Sequence, residues 1–183
     1  MTVATATELS TGTWAIDPVH SSVNFSVRHL MVSKVRGHFG VFSGAITVAE
    51  DGTPSVSADI DVTSLSTGND QRDAHVKSAD FLDVEKFPKI TFKSKSTKAK
   101  GSDLSVTGDL SIHGVTKEVV LEVEEPSAPS TDPFGNVRVG ATATTKIKRE
   151  DFGLTWNAAL EAGGVLVGNE VKITIDISLI KQK

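Results

Sequence analysis

Two short phrases gather the side chains best suited to chemistry. Asp17-Pro18-Val19-His20-Ser21 sets a carboxylate, an imidazole and a hydroxyl side by side, the residue types of an orienting acid, a base and a nucleophile. Catalytic lines of that kind are assembled from distant segments, because neighbours on a Pro-bearing turn cannot line up in the required order. A turn that hydrogen-bonds its own backbone is therefore expected. The second group is Asp70, Asp73 and His75, close enough to share a helical turn or two. Zinc asks for three or four convergent ligands, often with two His at i, i+4 on one helix face. The histidines instead stand dispersed at positions 20, 29, 38, 75 and 113, so caps and a solvated helix face are expected, with no metal. The chain has no cysteine, which removes disulfides, thiolate ligands and thiol nucleophiles. No Gly-x-Ser-x-Gly elbow, phosphate loop or dinucleotide fingerprint is present. No catalytic residue is expected.

Charge narrows the partners. The formal net charge is −4 and Tyr is absent, so neither a phosphate-binding basic surface nor an aromatic stacking platform is available for nucleic acid. Lys86, Lys89, Lys93, Lys95, Lys98 and Lys100 form one basic run. Lys89, Lys93 and Lys95 share one strand parity while Ile90 and Phe92 take the other, which predicts charges in solvent and apolar groups inside. Were an anionic head group to be held, Lys86 or Lys98 would reach it from the strand ends, with Arg28, Arg72 and Arg149 as bidentate alternatives.

The elements that position these residues follow from a period of two. Val23, Phe25 and Val27 alternate with polar neighbours, as do Phe42 to Val48 and Val56 to Val62. The pattern returns at Ile90 and Phe92, at Leu104 to Ile112, at Val115 to Val123, at Val137 to Ile147 and at Val171 to Leu179. About eight half-buried strands result, enough to close a barrel that holds side chains or one small ligand. Asp51-Gly52, Gly101-Ser102 and His113-Gly114 supply positive-φ residues at tight-turn spacing, which predicts antiparallel neighbours. From Ser66 to Glu85 the alternation stops. Asn69 or Asp70 can cap a short helix there and Asp80 a further turn, giving a helical crossover; Trp156 to Ala162 is the other stretch able to become helical. Ser127 to Asn136, rich in Pro, predicts a long loop. One domain over residues 13–183 is expected behind a flexible tail at 1–12. The start of the chain lacks a signal-like charged and apolar run, and no window has bilayer-spanning length, so a soluble cytoplasmic protein without stable membrane insertion is expected.

Several phrases in order carry a family resemblance. Trp14-Ala-Ile-Asp-Pro-Val-His-Ser-Ser-Val-Asn-Phe25, Arg72-Asp-Ala-His75, Ser78-Ala-Asp-Phe81, Phe87-Pro-Lys-Ile-Thr-Phe92, Leu110-Ser-Ile-His-Gly-Val-Thr-Lys117, Lys148-Arg-Glu-Asp-Phe-Gly153 and Val167-Gly-Asn-Glu-Val171 resemble the YceI-like family of lipid-binding barrels. The resemblance spans about Thr13 to Leu179. It implies an all-β fold, an antiparallel eight-stranded lipocalin-like β-barrel with a short helical crossover, and a pore for an isoprenoid chain in place of an active site. The implied function is non-catalytic binding, storage or transport of a polyisoprenoid, such as a polyprenyl diphosphate or the tail of an isoprenoid quinone. No cofactor is implied.

Parity, and not the family phrases, selects the expected lining: Phe25, Val27, Phe42, Ile46, Ile60, Phe92, Leu110, Val139, Ile147 and Ile173, with Trp14 at a rim or floor. Small residues on the same faces, Gly44, Ala58, Gly108, Ala141 and Ala143, are expected to leave free volume. Two other readings stay open. A filled barrel would be a structural or interaction module, and an enzyme acting on a lipid-like substrate would use His29 or His113. A homodimer is open as well.

Overall fold

The computed structural model describes residues 9–124 and 126–183. The first eight positions of the expected tail lie outside these residues. Twelve strands form one sheet: β1 Gly12–Ile16, β2 Ser22–His29, β3 Ser33–Phe39, β4 Phe42–Val48, β5 Pro54–Asp61, β6 Leu65–Ser66, β7 Lys89–Lys100, β8 Asp103–Ile112, β9 Val115–Glu124, β10 Ser130–Thr131, β11 Val137–Lys148 and β12 Val167–Lys181.

Three of the staves are single strands broken at a corner. β12 pairs with β2 through Val171–Asp176 and with β1 through Leu179–Lys181, so β1 and β2 are the two halves of one stave. β3 pairs with β2 while β4 pairs with β1, and β5 and β6 follow β4 and β3 in the same way. Two of the breaks have a local cause. Asp17 accepts from the amide of Val19 at 3.1 Å ahead of the first corner, an Asx turn that Pro18 favours. At the third, Asp61 accepts from Thr63 N at 2.9 Å and opens the 3-10 turn Val62–Ser64. Val62 therefore ends in a turn and not on the strand that its alternation predicts. Counted as staves, with the short β10 continuing the stave of β9 along β11, the sheet is a closed eight-stranded antiparallel barrel. The β11–β12 ladder closes it in eleven consecutive pairs from Arg138↔Ile180 to Lys148↔Glu170.

The three tight turns that carry Gly52, Gly101 and Gly114 behave as their residues predict. His113 and Gly114 adopt φ of 54° and 72° between β8 and β9, the paired left-handed geometry of a two-residue hairpin. The crossover is the helix α1, Asp70–Lys77, capped by Asn69, whose side chain accepts from Arg72 N at 2.9 Å. Asp80 caps nothing; its carboxylate meets His75 Nε2 at 2.8 Å. Residues 156–162 are irregular, with a lone bridge from Ala159 to Val165. Asn157 ties this stretch to β12, donating to Val167 O at 2.8 Å and accepting from Val167 N at 3.0 Å.

Two apolar clusters line the interior. One joins Val23, Phe39, Val62, Leu65, Ile90, Leu110, Ile147 and Phe152, with Phe25, Phe42, Ile60, Phe92 and Ile173 partly buried against it. The other joins Trp14, Val48, Val139 and Leu179, with Leu9, Ile16, Ile46 and Ile177 around them.

Candidate functional site

The wall of the barrel is tightest around Trp14, where β1, β4, β11 and β12 meet. Its indole is 1 % exposed and donates to Ser10 O at 3.0 Å. This end is solid. Away from it the wall parts: β9 and β11 share a ladder only between Glu122–Glu124 and Thr142–Thr144, and β2 and β12 pass a bulge between Val167 and Val171. A cavity of about 340 Å³ opens there, within the range of small-molecule sites. Val119 and Leu121 stand on one side of the parted seam, Thr145 and Ile147 on the other.

Of the residues chosen by parity, Phe25, Val27, Phe42, Ile60, Phe92, Leu110, Ile147 and Ile173 line this cavity. Trp14, Ile46 and Val139 belong to the second cluster, beyond the cavity, and close its floor with Ile16 and Ile177 between. The small residues act differently from expectation. A Cβ on Gly108 would fall 2.5 Å from the ring of Phe92, and one on Gly44 would fall 2.8 Å from Ile16. Those positions make room for neighbouring side chains, and only Ala58 of the five borders the cavity. The space comes from the spread of the staves.

Segments outside the strands roof the other end. His75, Phe81 and Trp156 form an aromatic cluster with centroid separations of 4.7 to 5.2 Å. Arg149, 3 % exposed, lies 6.0 Å from the Phe81 ring centroid. Its guanidinium donates to the carbonyls of Gly168 at 2.9 Å, Leu154 at 2.7 Å, Trp156 at 2.9 Å and Val167 at 3.4 Å. Burial pulls its pKa below the usual value, and four backbone acceptors hold the charged form in place of a carboxylate. With these donors engaged, Arg149 pins the 154–168 segment over the cavity and is not available to read a head group. Its sequence context gives no sign of this; the isolated Phe81 and Trp156 in non-alternating segments are the one hint of a roof.

Polar groups gather at the mouth. Arg28, His29, Arg72 and His75 border the cavity there. Arg72 donates to Thr67 Oγ1 at 2.8 Å and to Thr67 O at 2.9 Å. Lys86 and Lys98 do not border it. The lysine run lies on the outer face, where Lys95 meets Asp109 and Glu118 at 3.0 Å each and Lys100 meets Glu122 at 3.5 Å. His113 is also outside the cavity: its Nδ1 lies 3.2 Å from Phe152 O and its ring packs on Phe87.

The first chemical phrase resolves as a turn and the second as part of the helix α1. Asp17 Oδ2 lies 2.7 Å from His20 Nδ1 and 2.7 Å from Arg138 Nη1, while Ser21 Oγ is engaged with the Ser178 backbone. The hydrogen bond from Arg138, then that from His20, lowers the Asp17 pKa to about 2. Arg138 Nε also reaches Asp132 at 2.6 Å and holds that carboxyl below the ordinary range. Asp73 accepts from Thr67 N at 2.8 Å, whereas His75 turns to Asp80. Among the described residues no three metal-ligating side chains converge, and no helix is long and apolar enough to cross a membrane.

An eight-stranded barrel with an apolar interior cavity, a solid floor and a polar mouth defines the lipocalin-like class of container. The model of the YceI-like domain matches residues 14–179, and the chain belongs to that family. It is 40% identical over 161 residues to a UPF0312 protein of Staphylococcus aureus strain bovine RF122 / ET3-1, covering 87% of this chain and 92% of that one. Among solved structures it is similar to the YCEI protein of Campylobacter jejuni, with 26% identity, a TM-score of 0.71, and coverage of 85% of this chain and 90% of the other. Burkholderia cenocepacia BcnA shares the fold at a TM-score of 0.73 and 23% identity, over 89% and 98% of the two chains. So does a domain from Saccharophagus degradans described as polyisoprenoid-binding and implicated in plant cell wall breakdown, at 0.69 and 20% over 92% and 98%.

Proposed function

We propose that residues 13–183 act as a non-catalytic carrier that binds a long isoprenoid lipid in the barrel interior. The observation that carries the reading is the cavity: apolar side chains wall it from Ile177 to Val27, while Arg28, His29, Arg72 and His75 stand together at its mouth. A flexible hydrocarbon entering it gains roughly 25 cal/mol per Å² of surface removed from water, less the cost of ordering its bonds. The family membership and the described ligand of the Saccharophagus degradans domain support the same class.

The mouth favours an anionic or strongly polar head group, as on a polyprenyl diphosphate or an isoprenoid quinone. Arg28 and Arg72 suit it better than Lys86 or Lys98, which lie off the cavity. The chain would work in the cytoplasm, alone or as a homodimer. Organic extraction of the purified protein followed by mass spectrometry tests the reading. A stoichiometric prenyl lipid supports carriage; an empty protein that also takes up no polyprenol from detergent solution leaves a structural module.

A further inference from the structure

The turn between β2 and β3 is built against its residues' preferences. Leu30 and Met31 hold φ of 53° and 62°, and Val32 N donates to His29 O at 3.2 Å. This paired left-handed geometry normally selects Asn-Gly or Gly-Gly, since a Cβ there meets the following carbonyl. The equivalent turn between β8 and β9 uses His113-Gly114. Leu30, Met31 and Val32 are moreover 41 %, 56 % and 78 % exposed. Strained backbone that presents apolar side chains to water is costly to the folded chain, and such strain clusters at functional positions.

The tip stands beside the cavity mouth. Leu30 N donates to Leu166 O at 2.9 Å, and Met31 rests against Gly164; His29 and Leu166 both border the cavity. Val165, 38 % exposed, adds to the apolar rim. Behind it the charges of β2 and β3 are all positive, while on the neighbouring segments Glu170 is paired with Lys146 and Glu161 stands in the turn that Met31 touches. No Asp or Glu stands between Asp17 and Glu50, although the chain as a whole is acidic. Arg28 pairs across the ladder with Lys34, and Arg36 and Lys172 flank Ser26 in one outward row. Among the described residues no carboxylate forms an ion pair with these four cations.

We propose that the Leu30-Met31-Val32 tip inserts into the surface of an anionic lipid bilayer, with Lys34, Arg36 and Lys172 against its head groups, and so presents the cavity mouth to the membrane. The inference rests on the lipid-carrier reading, because a bilayer is where such a cargo resides. An apolar tip backed by cations is the arrangement that partitions into the interface without spanning it.

Flotation with vesicles of phosphatidylcholine alone and of equal parts phosphatidylcholine and phosphatidylglycerol tests it. The wild type should float with the anionic vesicles and far less with the neutral ones. Leu30→Asn with Met31→Gly installs the preferred turn residues, so melting temperature should hold or rise while flotation falls roughly tenfold or more. Lys34→Ala and Arg36→Ala should each weaken binding to anionic vesicles about fivefold. Unchanged flotation of the Asn-Gly variant overturns the proposal, and so does a fall in its melting temperature. A wild-type dimer that this variant dissociates also overturns it, showing that a second copy covers the tip. Polyprenol uptake from detergent solution, measured separately, should survive in these variants. A wild type that floats yet takes up no polyprenol would sink the carrier reading and leave the docking intact.

Discussion

At the floor of the barrel, inward side chains of β1, β4, β11 and β12 close on one another until Trp14 is 1 % and Val48 2 % exposed. At the mouth end, inward side chains of the same kind, Phe25, Phe42, Ile60, Phe92 and Ile173, remain only partly buried because they face open space. Both ends share one alternation and one composition. They differ in what crosses the middle: an indole fills the first, and a parted β9–β11 seam widens the second. A barrel becomes a container, then, through the spacing of its staves and the placing of one large residue, and small inward residues are not required.

The largest expected effect lies at the solid end. Trp14→Ala should cost about 3–5 kcal/mol in urea denaturation, the range for emptying a filled aromatic site. A loss below about 1 kcal/mol would mean that the floor is as loose as the mouth. Next comes the roof. Arg149→Met removes the donor to four buried or part-buried carbonyls, and leaving such groups unpaired costs roughly 1–3 kcal/mol. Hydrogen exchange should speed up in residues 154–168, with the floor unaffected. Exchange that rises uniformly, or not at all, would show that Arg149 does not serve as the pin of that segment.

Ile60→Trp sharpens the comparison from the hollow side. Ile60 pairs with Phe42 and Ile90 on neighbouring staves and borders the cavity, so the added indole has space to enter. Stability should shift by less than about 1 kcal/mol, against about 1–3 for overpacking a filled core, while polyprenol uptake should be lost. Asp59→Asn, on the outward parity, should leave uptake unchanged. A strongly destabilised Ile60→Trp protein would mean that the interior is packed.

How far the sequence could be read depends on which physical rule each feature obeys. Alternation of period two predicts strands, a barrel and the inward parity, and the structure has all three. Turns with Gly at the positive-φ position were equally legible at Gly52, Gly101 and Gly114. Parity, however, says which face a residue takes and nothing of its depth along the barrel. Ile46 and Val139 therefore read like Ile60, although they pack against the floor. The small-residue argument failed at Gly44 and Gly108 because it counts missing atoms at one position without asking what leans in from the next. Arg149 read as a cation for a head group and not as a pin, because a buried charge held by carbonyls has no sequence pattern, and Leu30-Met31 left no signal, being a tight turn made from residues that disfavour it.

The smallest expected effect concerns acid, and it separates the two ends electrostatically. Asp17, whose side chain is 10% exposed, joins Arg138 and through it Asp132 beside the floor. Its folded pKa of about 2 lies below the ordinary 3.8. A carboxyl depressed in the folded state contributes stability that is fully present above its unfolded value and is lost as pH falls through the folded one. Asp132 shifts in the same direction, and exposure of Arg138 to solvent moderates both contributions. The urea midpoint should thus stay level above the unfolded value and drop between pH 3.8 and about 2. Asp17→Asn should lower the midpoint at neutral pH and flatten the acid limb, since no proton is then taken up at that site on unfolding. The hollow end contributes less: no carboxylate borders its mouth, and behind it Asp73, despite its burial, is held by Thr67 and shifts in the same direction. If Asp17→Asn keeps the full acid limb, the fall originates in other carboxylates and the floor is held by packing around Trp14 alone.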